Sequence, residues 1–197
     1  MQSSSLSPRP DSAGARTRTS RDAILEAARR LFASDRLERV SMRRISGACG
    51  LTLPVLYHYF EDKRALYRAC AEASCAEAAA ALRAALAAPV PARARLALLA
   101  DALAGLLIPQ PSLLAYVVEE AAGEPGVDAT ALAAVFDEAD AVFAEAGVCR
   151  ASPARGLAAQ AIGQAVLVRL HCLDAEAARH ALARHLALLL GEDEAGA

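Results

Sequence analysis

Between Ser41 and Lys63 the sequence sets hydroxyls, an arginine, aromatic rings and a lysine along two short helix-like segments. That chemistry suits holding an anion better than breaking a bond. Ser41 and Thr52 each stand where a helix should begin. Each can offer its hydroxyl, with free backbone N–H groups, to a phosphate. Arg43 falls on the outward side of the first segment. Leu53, Pro54 and Val55 open the second segment and carry no hydrogen-bonding side chains. Apolar groups can touch thymine methyls, but they cannot read the O6/N7 pattern of guanine. Bond-breaking chemistry finds no support. There is no G-x-S-x-G, no phosphate-cradling glycine loop and no Asp/His metal spacing. His180 and His185 lie five residues apart, off one helical face, and His171 beside Cys172 reads as helix surface. No catalytic role, cofactor or metal is therefore expected.

The elements that must position these groups follow from local signals. Met42, Ile45 and Cys49 are apolar at helical spacing. Gly50 then breaks the helix, because glycine accepts the left-handed backbone of a sharp turn. Leu51 is expected to be the buried pivot. Thr52 is placed to cap the next helix, and Pro54 suits its first turn, where a missing N–H costs nothing. Leu56 and Phe60 form that helix's inner face. Asp62 caps the following helix, with Lys63 in its first turn. Helix, glycine turn and short second helix make a helix-turn-helix, whose second helix is of the kind that enters a DNA major groove. An earlier helix, from about Ser20 to Ser34, carries the apolar stripe Ile24, Leu25, Ala28, Leu31 and Phe32. Val40 packs inward from the connector. Three such helices form a compact module.

The run LYHYF-EDKRALY, the Arg-x-Ile before the turn and the Cys-Gly-Leu-Thr turn itself resemble the DNA-binding domain of the TetR (tetracycline-repressor-like) family of transcriptional regulators. These motifs lie within residues 41–67. The resemblance implies a homodimer on a palindromic double-stranded operator, most simply a repressor, released by a small effector. It implies that Arg43 reaches a base or the adjacent phosphate, that Tyr57 and His58 contact backbone or bases, and that Lys63 holds a phosphate. The competing readings are a core aromatic for Tyr57 and an exposed neutral ring for His58. The expected DNA-contact set is Ser41, Arg43, Thr52, Leu53, Pro54, Val55, Tyr57, His58 and Lys63. With an apolar start to the recognition helix, Arg43, His58 and DNA shape should carry more of the specificity than usual.

Composition agrees. Hydrophobic residues make up 55% of the 197 residues, much of it alanine, and there is no tryptophan. Alanine and leucine dominance with few β-branched runs argues for an all-α chain long enough to bury a core. The net charge of −2 hides an asymmetry: through Arg68 there are 13 Lys+Arg against 7 Asp+Glu, and afterwards 8 against 16. A basic N-terminal part joined to an acidic remainder fits a nucleic-acid module attached to something else. The five cysteines contain no CxxC and read as reduced thiols used as small hydrophobes, with redox sensing the lesser alternative. The N-terminus lacks the apolar core of a signal peptide, and charges or prolines interrupt every apolar run. A cytoplasmic protein without a membrane partner is expected.

The expected organisation is a disordered basic tail over 1–19, the helix-turn-helix domain over 20–67, and an effector-binding and dimerisation domain over 68–197. About nine helices are predicted in all. A long helix runs from about Asp62 to Ala87 and links the two domains. Further helices are expected over 92–107, 112–122, 128–146, 153–172 and 175–190. The last two are apolar on more than one face, as in a core element or a subunit contact. The resemblance implies a four-helix dimer interface there, carried by Leu157, Ala161, Ala165, Leu182, Leu186 and Leu189. It also implies an effector cavity, for which the candidate lining is Cys70, Leu99, Leu103, Tyr116, Glu120, Phe136, Phe143, Gln160 and Gln164. Ordinary core explains most of these equally well. Glu120, Gln160 and Gln164 are more informative, because polar groups on apolar helices need partners, and the two glutamines share a face at i, i+4. The mostly apolar set points to a largely hydrophobic ligand, a cationic one if Glu120 faces inward. A different class of function stays open: a helix-turn-helix fold used as an activator or through protein partners, without a small effector.

Overall fold

The computed structural model describes residues 12–35, 37–108 and 130–192. Among these the secondary structure is helical with no strand. The α-helices are α1 Ser12–Ser34, α2 Met42–Ala48, α3 Leu53–Tyr59, α4 Lys63–Leu86, α5 Ala92–Leu107, α6 Thr130–Glu145, α7 Pro153–Arg169 and α8 Ala175–Leu189. A 3-10 turn, Leu37–Arg39, precedes α2. The helix expected over 112–122, with Tyr116 and Glu120, lies outside the described residues, as does the expected Asp128 cap.

One boundary differs from expectation. α1 begins at Ser12, not near Ser20, so residues 12–19 are helical where a disordered tail was expected. No proline interrupts Ser12–Ser34, and once the apolar stripe has nucleated the helix, each added residue gains one backbone hydrogen bond.

The chain divides into two compact units, Met1–Cys70 and Ala71–Ala197, with the division inside α4. In the first unit α2 packs on α1 and α3 on α2. Ile24, Ile45, Leu56 and Leu66 have no exposed surface, and Val40 is buried as expected. Burying side chains of this size stabilises by about 1.5–3 kcal/mol each. Cys70 belongs to this core too. Its Sγ lies 3.8 Å from the Leu25 carbonyl oxygen on α1.

In the second unit α5 packs against α6, α7 and α8, so its leucines are surrounded. Leu96, Leu99, Leu103 and Leu107 meet Val135, Phe143, Leu157 and Leu182 in one cluster. Helix ends are closed by identifiable groups. The Asp174 side chain accepts from the Ala177 N–H at 2.7 Å and caps α8. Ser152 makes no such bond at the start of α7; Asp140, from α6, accepts from the Ala154 N–H at 2.8 Å instead. Arg155 pairs with Asp137 at 2.7 Å, so α7 is anchored to α6 at its first turn.

Candidate nucleic-acid interface

The helix-turn-helix is built by backbone bonds that the glycine makes possible. Gly50 adopts φ +68. This lets the Gly50 N–H reach Gly47 O and the Leu51 N–H reach Ser46 O at 3.0 Å, reversing the chain. Leu51 is half-buried, not the buried pivot expected, because its N–H closes the turn while Leu56 and Ile45 fill the interior. Ser41 caps α2, its Oγ accepting from the Arg44 N–H at 3.2 Å. Thr52 occupies the cap position of α3 with an extended backbone, but its hydroxyl makes no capping bond. The Thr52 side chain is exposed. Asp62 caps α4, accepting from the Ala65 N–H at 2.7 Å.

Two contacts brace the module from the side. Arg44 pairs with Asp35 at 2.5 Å, joining α2 to the end of α1. Lys63 donates from Nζ to the Leu37 carbonyl oxygen at 2.7 Å, joining α4 to the 3-10 turn. Arg21 stands 5.6 Å from the Phe60 ring centroid, a cation over an aromatic face that closes the end of α3.

The outward side chains are the expected ones. Ser41, Arg43, Thr52, Pro54, Val55, Tyr57 and His58 are exposed, while Leu53 and Lys63 are half-buried. Tyr57 retains 49% of its surface, so it is not a core aromatic. His58 packs its ring edge-on against Tyr59, with centroids 5.4 Å apart. Arg39, Arg64 and Arg68 are exposed nearby in the sequence and were not singled out by sequence reasoning. Their signal was the local excess of basic residues, which does not say which ones face out. An arginine, a phenol and an imidazole therefore leave one small rigid module whose own core is satisfied elsewhere.

Residues 24–70 match the family model described as bacterial regulatory proteins, tetR family. Over that stretch the chain is similar to the TetR family. Among curated relatives, the HTH-type transcriptional repressor AcnR of Corynebacterium glutamicum is 39% identical over 67 residues. That alignment takes in 34% of this chain and 36% of the relative, so the chain spans only about a third of the relative's length. The fold extends further than the sequence likeness. A protein of unknown function from Rhodococcus sp. RHA1 superposes with a TM-score of 0.72 at 23% identity, over 94% of this chain and 98% of that one. A TetR-family transcriptional regulator from Streptomyces coelicolor gives a TM-score of 0.72 at 20% identity, over 94% and 96% of the two chains.

Of the positions expected to serve the second domain, Leu99, Leu103 and Phe143 are buried within the core cluster, and Phe136 packs against it. Leu157, Ala161, Ala165, Leu182 and Leu186 are buried in that same cluster, with Leu189 packed on it. Within the subunit α7 and α8 pack against α5 and against each other. Gln160 and Gln164 do come together. They line an open cleft of about 500 Å³ between α7 and α8 with Ala181, Arg184, His185 and Leu188. The Gln164 Oε1 atom is buried without a hydrogen-bond partner. Leu167, Leu170 and Leu188 are exposed on these two helices, Leu170 by 63% and Leu188 by 62%. No helix among the described residues is long and apolar enough to cross a membrane.

Proposed function

We propose that this protein is a cytoplasmic DNA-binding repressor of the TetR type that grips a palindromic operator as a homodimer and is released by a small, largely hydrophobic effector. The observation that carries the reading is the outward set Arg43, Tyr57 and His58 on a helix-turn-helix whose core needs none of them. Ser41, Thr52 and Lys63 hold phosphates beside it, and Leu53, Pro54 and Val55 lie against base edges. Phosphate contacts set the register and base contacts set the sequence. The direction of regulation is supported by the word repressor in the name of the curated relative.

The dimer follows from the exposed leucines of α7 and α8. Leu167 and Leu170 at the end of α7 and Leu188 on α8 are exposed apolar side chains that a second copy about a twofold axis would cover. A twofold protein reads a twofold site, so the operator is palindromic. The effector need only bind the DNA-incompetent conformation more tightly than the competent one. Gln160 and Gln164 are the polar groups best placed to orient it.

The test is selection of genomic fragments with purified protein, followed by a salt titration on the enriched site. A palindromic site with a steep salt slope supports the proposal. Absence of enrichment, with salt-insensitive binding, defeats it and leaves protein partners as the use of the fold. The double variant L170E/L188E should sediment as a monomer and lose the palindromic site. A variant that stays dimeric would move the interface elsewhere.

A further inference from the structure

We propose that α3 reads the C5-methyl groups of thymines through an apolar patch centred on Val55, so that the operator depends on thymine methyls and not only on base-pair hydrogen bonding. The inference rests on the reading of α2 and α3 as a DNA reader and names the chemical group that this reader recognises.

Seven large hydrophobic residues are exposed among the described residues, and two of them, Val55 and Tyr57, stand on the seven-residue α3. Val55 is 38% exposed. Leu56, on the same helix, serves the core with no exposed surface. As a β-branched residue Val55 helps a helix less than alanine would. Pro54 is exposed beside it and Leu53 is half-buried. The opening of α3 thus presents side chains of carbon only, and its side-chain hydrogen-bonding groups, Tyr57, His58 and Tyr59, come in the following turn.

A recognition helix directs its N-terminal residues at base edges. In the major groove guanine and adenine present N7 with O6 or N6, cytosine presents its amino group, and thymine presents a methyl. Carbon laid against the polar edges would strip them of water and leave them unpaired, which is unfavourable. Laid against a methyl, it buries apolar surface on both sides. The charge around the patch matches this partner: Arg39, Arg43 and Arg64 are exposed, as a module seated between two phosphate chains requires.

The experiment uses the full chain and the site enriched from genomic DNA, remade with deoxyuridine replacing thymidine one symmetric pair at a time. That exchange removes the methyl and keeps every pairing atom. At the positions under α3, wild-type protein should bind about fourfold more weakly for each methyl removed. The V55A variant, changed at an exposed site, should bind the thymine operator more weakly by a similar factor and should no longer distinguish thymine from uracil there. Equal affinity of the wild type for thymine and uracil operators, both bound with a steep salt slope, would overturn the methyl reading and leave the DNA reading standing. Absence of salt-dependent binding to any fragment would overturn both.

Discussion

Lys63 Nζ donates a 2.7 Å hydrogen bond to the carbonyl oxygen of Leu37, 26 residues earlier in the chain. The first residue of α4 is thereby tied to the turn that leads into α2. An ammonium carries three donors, so this tie leaves two for a phosphate. Lys63 should therefore serve both structure and binding. Replacing it with methionine keeps the stem and removes every donor. The variant should lose about 1 kcal/mol of stability in denaturant melts, and its operator salt slope should drop by about one. A melt that moves while the slope stays fixed would confine Lys63 to the tie.

Arg43 makes no side-chain hydrogen bond or ion pair among the described residues and is exposed on α2. Its neighbour Arg44 is engaged by Asp35. R43A should leave the melting transition unchanged and weaken operator binding by about 1–3 kcal/mol, with relaxed preference at one position per half-site. R44A should act the other way, loosening the module while keeping the preference. Unchanged operator preference in R43A would exclude Arg43 from base contact.

His171 ends α7 with φ 57, where glycine is usual. Its N–H bonds to Val168 O at 3.0 Å and the Cys172 N–H to Leu167 O at 2.9 Å. Gly147 closes α6 in the same way at φ 88. A side chain in that conformation costs about 1–2 kcal/mol. H171G should raise stability by about 1 kcal/mol in chemical denaturation, the greater entropy of unfolded glycine taking back part of the gain. A loss of stability would mean that the imidazole makes a contact in the assembled protein.

Burial pushes the Cys70 thiol from its ordinary 9.0 up to about 12, against the partly offsetting charges of Arg29 and Arg21. The thiol is protonated in both states at neutral pH, so its contribution is complete there. Above the unfolded value the free thiol ionises while the buried one stays protonated, and stability declines as pH rises from about 9 to about 12. Thiol reagents at neutral pH should modify the exposed Cys149 and Cys172 first and Cys70 only on unfolding. Rapid native labelling of Cys70, read by peptide mapping, would contradict its burial.

Much of the first unit was legible because its signals are local. Gly50 with positive φ, Pro54 in the first turn of α3 and the Asp62 cap each act within a few residues, so the boundaries of α2, α3 and α4 follow from residue type. The outward position of Arg43 and His58 follows from the same helical spacing that buries Ile45 and Leu56. The start of α1 was not legible, because Ser12 to Thr19 lack an apolar stripe and only propagation from the packed part of the helix extends it.

The second unit shows where sequence by itself stops. Helices α5, α7 and α8 were evident from their proline and aspartate boundaries. Which face of α7 and α8 turns inward was not, since alanine and leucine occur around most of each helix and no single stripe dominates. Tertiary packing decided it. Packing among the helices of the unit buries Leu157, Ala161, Ala165, Leu182 and Leu186, leaves Leu167, Leu170 and Leu188 exposed, and leaves Gln160 and Gln164 half-buried. The physical reason is that helical periodicity separates apolar from polar positions, but only a partner helix selects among apolar ones. Sequence thus determined the helical elements, the reading module and its outward polar residues. The structure decided how the apolar surface is divided between the subunit's own core and whatever the protein meets.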